Sequence, residues 1–249
     1  MANSQQTEEK RESLWTLAAA LGFMVGVLGV AMALDHSGLR LGKPARGSTV
    51  HDPSFQTALT NFDYEMTRPR PELFGSFSDG DVRIRNCLGF LTATMRPDRR
   101  RHFSELVGGE DYSDCLPLRT AKLSPEPEYH LAPASGLGRV LAERLDPSAL
   151  KGVLPAWMAQ SRRLVDAKIQ ETTVSAHSVT LNHGGQRIAL DILASADVVG
   201  RNLEDLLVRV TGTGTPRYVV LTQGADGALR PIAEQTLMAM TNPTSMPTD

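Results

Sequence analysis

The sequence predicts an α+β domain carried behind one transmembrane helix. Three observations point there: an uncharged apolar run over residues 14–34, apolar residues at three- and four-residue spacings before about residue 175, and apolar alternation between Gly-rich turns from about 176 onward.

The first element is the run Leu14 to Leu34, LWTLAAALGFMVGVLGVAMAL, in which Thr16 is the only hydroxyl. At 1.5 Å rise per residue a helix of this length spans about 30 Å, the thickness of a bilayer's hydrocarbon core. Trp15 falls at one end, where an indole prefers the headgroup region. In water such a helix exposes apolar surface on every side, so lipid is its expected surrounding. Residues 1–13, with Lys10 and Arg11, then form a cytoplasmic tail. Two fates fit the run. Ala31-Met32-Ala33 matches a secretory signal cleaved before Leu34, whereas the run exceeds the usual apolar core of a signal peptide and favours an uncleaved anchor. Arg40, Lys43 and Arg46 on the far flank nearly balance the basic tail, so the preference for a cytoplasmic N-terminus rests on the short basic lead-in. Gly22 and Gly26 make a G-x-x-x-G, extended by Ala18. One face of small residues lets two helices approach closely and dimerise.

Residues 35–53 are rich in Gly, Ser, Pro, Arg and Lys and read as a linker. The domain proper is expected over 54–240, helical and loop-rich to about 175 and β from about 176. Thr67 to Pro71 (TRPRP) excludes a regular helix. Arg139 to Leu145 and Ala156 to Gln170 carry helical spacing. In the second, Trp157, Met158, Leu164, Val165 and Ile169 form the stripe to be buried. Asp146-Pro147-Ser148 offers a cap for a short helix through Leu150.

Ser178 to Asn182, a His-Gly-Gly turn and Gln186 to Leu193 read as a hairpin. Asp205 to Thr211 and Arg217 to Gln223 read as a second, and Leu229 to Ala233 follows the Asp226-Gly227 turn. Alternation sets Ile188, Leu190 and Ile192 on one face, with Val208 and Val210 toward the same core. The sum is an antiparallel sheet of about five strands packed by the preceding helices. Residues 241–249 carry two prolines and no apolar period, the signature of a frayed tail.

Composition narrows the function. A formal net charge of −2 excludes a nucleic-acid binder that works by bulk electrostatics. Two cysteines are too few for a disulfide scaffold or a four-thiolate zinc site. In an oxidising space Cys87 and Cys115 most simply form one disulfide, the alternative being two buried thiols. The six histidines show no metal-ligand spacing, Gly108 to Tyr112 reads as a Gly-Gly turn into a helix start, Asp79-Gly80-Asp81 as a turn, and no G-x-S-x-G surrounds any serine. Arg99-Arg100-Arg101-His102 reads as a solvated basic face.

The stretch Ala196 to Val208, ADVVGRNLEDLLV, resembles the calcium loop of FG-GAP-type (integrin-like) repeats. Asp197, Gly200, Glu204, Asp205, Leu206, Leu207 and Val208 match that pattern. Val199, Arg201 and Asn202 depart from it, so two oxygen donors are lost and a guanidinium is gained, and calcium is not expected to bind. Arg201 is expected to take the cation's place beside Asp197 or Asp205. The resemblance implies a binding or structural β-element, without catalytic residues, metal or cofactor.

Together these readings imply a single-pass protein of a cell inner membrane, with its C-terminal domain in the periplasm. It touches the lipid bilayer through residues 14–34 and binds or scaffolds another envelope or membrane protein, but not nucleic acid. The competing readings are a periplasmic hydrolase whose site forms only in three dimensions, and an accessory subunit of a membrane complex. A cleft lined by Glu204, Asp205, Asp191 and a histidine would favour the hydrolase.

Overall fold

The computed structural model describes residues 47–96, 98–99, 102–103, 109–164 and 171–240. The predicted tail 1–13, membrane run 14–34 with Gly22 and Gly26, most of the linker, and the tail 241–249 lie outside them. Among the described residues, no helix is long and apolar enough to cross a membrane.

The domain is α+β, built on an antiparallel sheet whose strands run in sequence order: β4 (Glu171–Val174), β5 (Ser178–His183), β6 (Gln186–Ala196), β7 (Asp205–Thr211), β8 (Arg217–Gln223) and β9 (Leu229–Pro231). A seventh strand, β1 (Thr49–Val50), pairs with Ala194 and Ser195 of β6, beyond the point where β5 stops. The β5–β6 turn is made by Gly184 and Gly185, both with positive φ (58° and 79°), as the tight turn between twisted strands requires. Asp226-Gly227 turns the chain into β9.

Strand β6 holds the layers together. Its register against β7 shifts between Ile192 and Ala194, so Leu193 is an extra residue on this strand. Before the bulge, Ile188, Leu190 and Ile192 join Val208, Val210, Leu221 and Leu229 in a core covered by α5 (Leu137–Arg144) and the segment through Leu164. From the bulge onward, Leu193 and Ala194 join Leu207 and Val220 in a second core on the opposite face. Helices α1 (Pro53–Thr60), α2 (Phe62–Thr67), α3 (Cys87–Ala93), α4 (Cys115–Leu123) and α6 (Glu234–Met240) surround it. The sheet therefore has a covered face on each side, three layers in all.

Local sequence explains the helix starts. Asp52 accepts the Phe55 amide at 2.9 Å and Pro53 opens α1; Asn86 accepts the Gly89 amide at 2.8 Å and opens α3. Asp146 accepts the Ser148 amide at 3.1 Å ahead of the 3-10 turn Pro147–Leu150.

Four expectations are corrected. The sheet has seven strands rather than about five, because β1 and β4 are short and carry no apolar period. The first part is not only helical: β2 (Leu73–Phe77) and β3 (Gly80–Ile84) form a hairpin, with Asp79-Gly80 at its turn. The linker's end is built into the sheet, since His51 and Asp52 both donate to the Leu193 carbonyl. No helix starts at Ala156. The Met158 and Ala159 amides share the Pro155 carbonyl, and the chain continues in turns to Leu164. Met158 and Leu164 reach the first core from separate turns while Trp157 stacks on His183 at 4.3 Å, so apolar spacing is satisfied without a helix. Residues 165–170, with Val165 and Ile169, lie outside the described residues.

Candidate functional site

Cys87 and Cys115 are bonded to each other, with Cα atoms 5.2 Å apart, and join the N-termini of α3 and α4. Asp114 precedes the second cysteine and receives Arg70, whose two guanidinium nitrogens lie 2.6 and 3.1 Å from its carboxylate oxygens. Arg70 also donates to the Asp111 carbonyl and lies over the Tyr112 ring. Asp114 and both sulfurs lie within ligand distance of one another, but the sulfurs are consumed in the bond and the carboxylate is held by Arg70, so the cluster is a brace rather than a metal site.

The carboxylates of the FG-GAP-like stretch act on their own loop. Asp197 accepts the Arg201 and Asn202 amides, each at 2.9 Å, where Gly200 and Asn202 take positive φ. Asp205 accepts the Val198 and Val199 amides at 2.9 and 3.0 Å. Glu204 turns away, accepting the Leu131 amide at 2.7 Å with His130 Nδ1 at 3.4 Å. All three are buried. Burial pushes the Asp205 carboxyl above the usual range, opposed by the neighbouring Thr222 hydroxyl, the two amides and the Arg201 charge. The Arg201 guanidinium itself reaches the Thr222 hydroxyl and the Gln223 carbonyl rather than standing between Asp197 and Asp205. A metal would have to displace backbone amides from both aspartates.

At the β1–β6 junction the rings of His51 and His177 stack at 4.5 Å, and His51 Nε2 lies 3.2 Å from Ser195 Oγ. That distance suits a base and a nucleophile, but Ser195, next to last in β6, is 1% exposed, so no substrate can reach it. Burial, then the His177 charge, lowers the His51 pKa against an upward pull from Glu204. Asp191 pairs instead with Arg209, which also binds Asp52. The acids expected to converge in a hydrolase thus go three separate ways.

A groove of about 360 Å³ lies elsewhere, along β8. Leu116, Thr120 and Leu237 line it from the disulfide-braced layer, Leu150 and Val153 from the opposite layer, and Tyr218 from the strand between. Lys151 and Arg217 stand exposed on it, neither in an ion pair among the described residues. Neither a histidine nor Asp191, Glu204 or Asp205 lines it. The groove is invisible to sequence reading because its walls come from segments spread between Phe90 and Leu237.

No family model, curated protein or solved structure is significantly similar to this chain.

Proposed function

We propose that this chain is a single-pass inner-membrane protein whose α+β domain lies on the periplasmic side and binds or scaffolds another envelope protein. The observation that carries the reading is the buried Cys87–Cys115 disulfide, a bond that persists in oxidising compartments and is rare in the cytosol. The apolar run Leu14 to Leu34 supplies the means of export, with Gly22 and Gly26 available for helix pairing in lipid. The stretch 196–208 serves as a degenerate FG-GAP-type element in which aspartates hold backbone amides in place of calcium. Binding is preferred to catalysis because Ser195 is sealed in a strand and the acids nearest to it are engaged with amides or arginines.

The test is a pair of fusions after Asp249, alkaline phosphatase and green fluorescent protein. Activity of the first and darkness of the second are expected; the reverse pattern overturns the reading. An intact mass that includes Met24 is the result expected of an anchor, whereas a product beginning at Leu34 is a cleaved signal.

A further inference from the structure

The groove beside β8 coincides with an open sheet edge. Strand β9 pairs only with Leu221 to Gln223, and its last bond is the Ile232 amide to the Val220 carbonyl at 2.8 Å. The chain then leaves the sheet for α6. In an antiparallel strand, alternate residues turn both N–H and C=O to the same side. Val220 and Thr222 face β9, so Tyr218 presents its amide and carbonyl on that edge too. Among the described residues, nothing bonds to them there.

The groove occupies the path that a longer β9 would follow, and it is walled by both layers. A strand laid in it would send successive side chains alternately toward Leu150 and Val153 and toward Leu116 and Leu237. Thr120, 1% exposed, lines the same groove with a hydroxyl that has no hydrogen-bond partner among the described residues. Lys151 and Arg217 stand exposed on the groove without ion pairs among the described residues; Glu110 and Glu234 also line it, so the positive charge is local to these two side chains rather than general. We propose that this groove binds an extended peptide of a partner protein, which adds to the sheet beside Tyr218, buries consecutive apolar side chains in the two layers, and sets acidic residues against Lys151 and Arg217. The proposal rests on the binding role proposed above and names its site and the chemistry of its partner.

The probe is a labelled synthetic peptide, three consecutive valines flanked by glutamates, titrated by fluorescence anisotropy into the full-length chain in detergent. Saturable binding below about 1 mM is expected, with new hydrogen-exchange protection at the Tyr218 amide. N-methylation of the three valine nitrogens removes strand donors and leaves the side chains. It is expected to weaken binding at least about tenfold, as is the exposed double variant K151E/R217E. No saturable binding, equal binding of the methylated peptide, or unchanged exchange at Tyr218 overturns the proposal. Binding that appears only after deletion of residues 241–249 also overturns it, by making the chain's own tail the occupant. The assay is indifferent to compartment, so its failure and that of the membrane topology are separable.

Discussion

Arg70 Nη1 lies 2.6 Å from Asp114 Oδ1, with the arginine side chain 2% exposed. Because Asp114 is bonded in sequence to Cys115, this ion pair and the disulfide brace the same corner of the second core. Asp114→Asn removes the anion hydrogen-bonded to a buried guanidinium and leaves it only the Glu65 carboxylate at 3.7 Å; losing the sole partner of a fully buried pair costs about 3–5 kcal/mol. Asp114 is 29% exposed, so the lower end of that range is expected. Urea denaturation measures it. Arg68→Ala, which removes the more exposed Glu65 pair, should cost less than about 1 kcal/mol.

Removing the disulfide acts on the unfolded chain. The cysteines are 28 residues apart, and freeing a loop of that size costs about 3–4 kcal/mol on the chain-entropy account. The double variant C87A/C115A is expected to melt lower by a margin that reductant no longer changes. Equal melting of wild-type and variant under non-reducing conditions would remove the brace.

Acid should weaken the β1 junction. The folded pKa of His51 lies below its ordinary value of 6.5, so its contribution is complete above about pH 6.5 and is lost as pH falls through the lower folded value. Asp205, raised, has the opposite sign: its contribution is complete below about 3.8 and is lost as pH rises through the folded value. His51→Phe isolates the histidine contribution: between about pH 7.5 and 5.5 the variant is expected to lose less melting temperature than wild-type. Parallel slopes for the two proteins would exclude His51 as the cause.

Gly138 tests packing against propensity. It lies inside α5, where alanine is the better helix former by about 1 kcal/mol. A Cβ there would stand 2.1 Å from the Ser175 carbonyl oxygen, which is backbone. Overpacking costs about 1–3 kcal/mol, so Gly138→Ala is expected to destabilise despite the helix gain. A rise in melting temperature would show that the turn between β4 and β5 yields freely.

Millimolar calcium is expected to leave the melting temperature unchanged, because both aspartates of the loop are occupied by amides. Asp197→Ala frees two amides and should cost about 1–3 kcal/mol. Strong stabilisation by calcium would restore a metal reading for 196–208.

Where local chemistry decides the outcome, the sequence was legible. Gly184-Gly185 between alternating runs marked the β5–β6 hairpin, Asp146-Pro147 marked its 3-10 turn, and an even pair of cysteines marked the bond. Where tertiary packing decides, it was not. Thr49-Val50 is too short to carry a period, Gly75 interrupts the apolar pattern of β2, and Met158 with Leu164 mimic a helix while burying from turns. The bulge at Leu193 is equally silent, since Ile192 and Leu193 are both apolar whichever way they face. The groove was beyond reach because an unbonded Tyr218 amide is a property of where β9 stops, not of residue 218.

The pairing of β1 with β6 constrains when this protein can fold. His51 meets Ser195 across 144 residues, and the wall against which α1 and α4 pack is made by strands synthesised last. A nascent chain halted near residue 150 thus holds both cysteines and the core residues from Phe55 to Ala121 that surround them, but not the sheet face of Leu193, Ala194, Leu207 and Val220 that closes this core. The disulfide can then join α3 to α4 before the sheet exists, while the core that it braces stays open on one side until the final third of the chain is made.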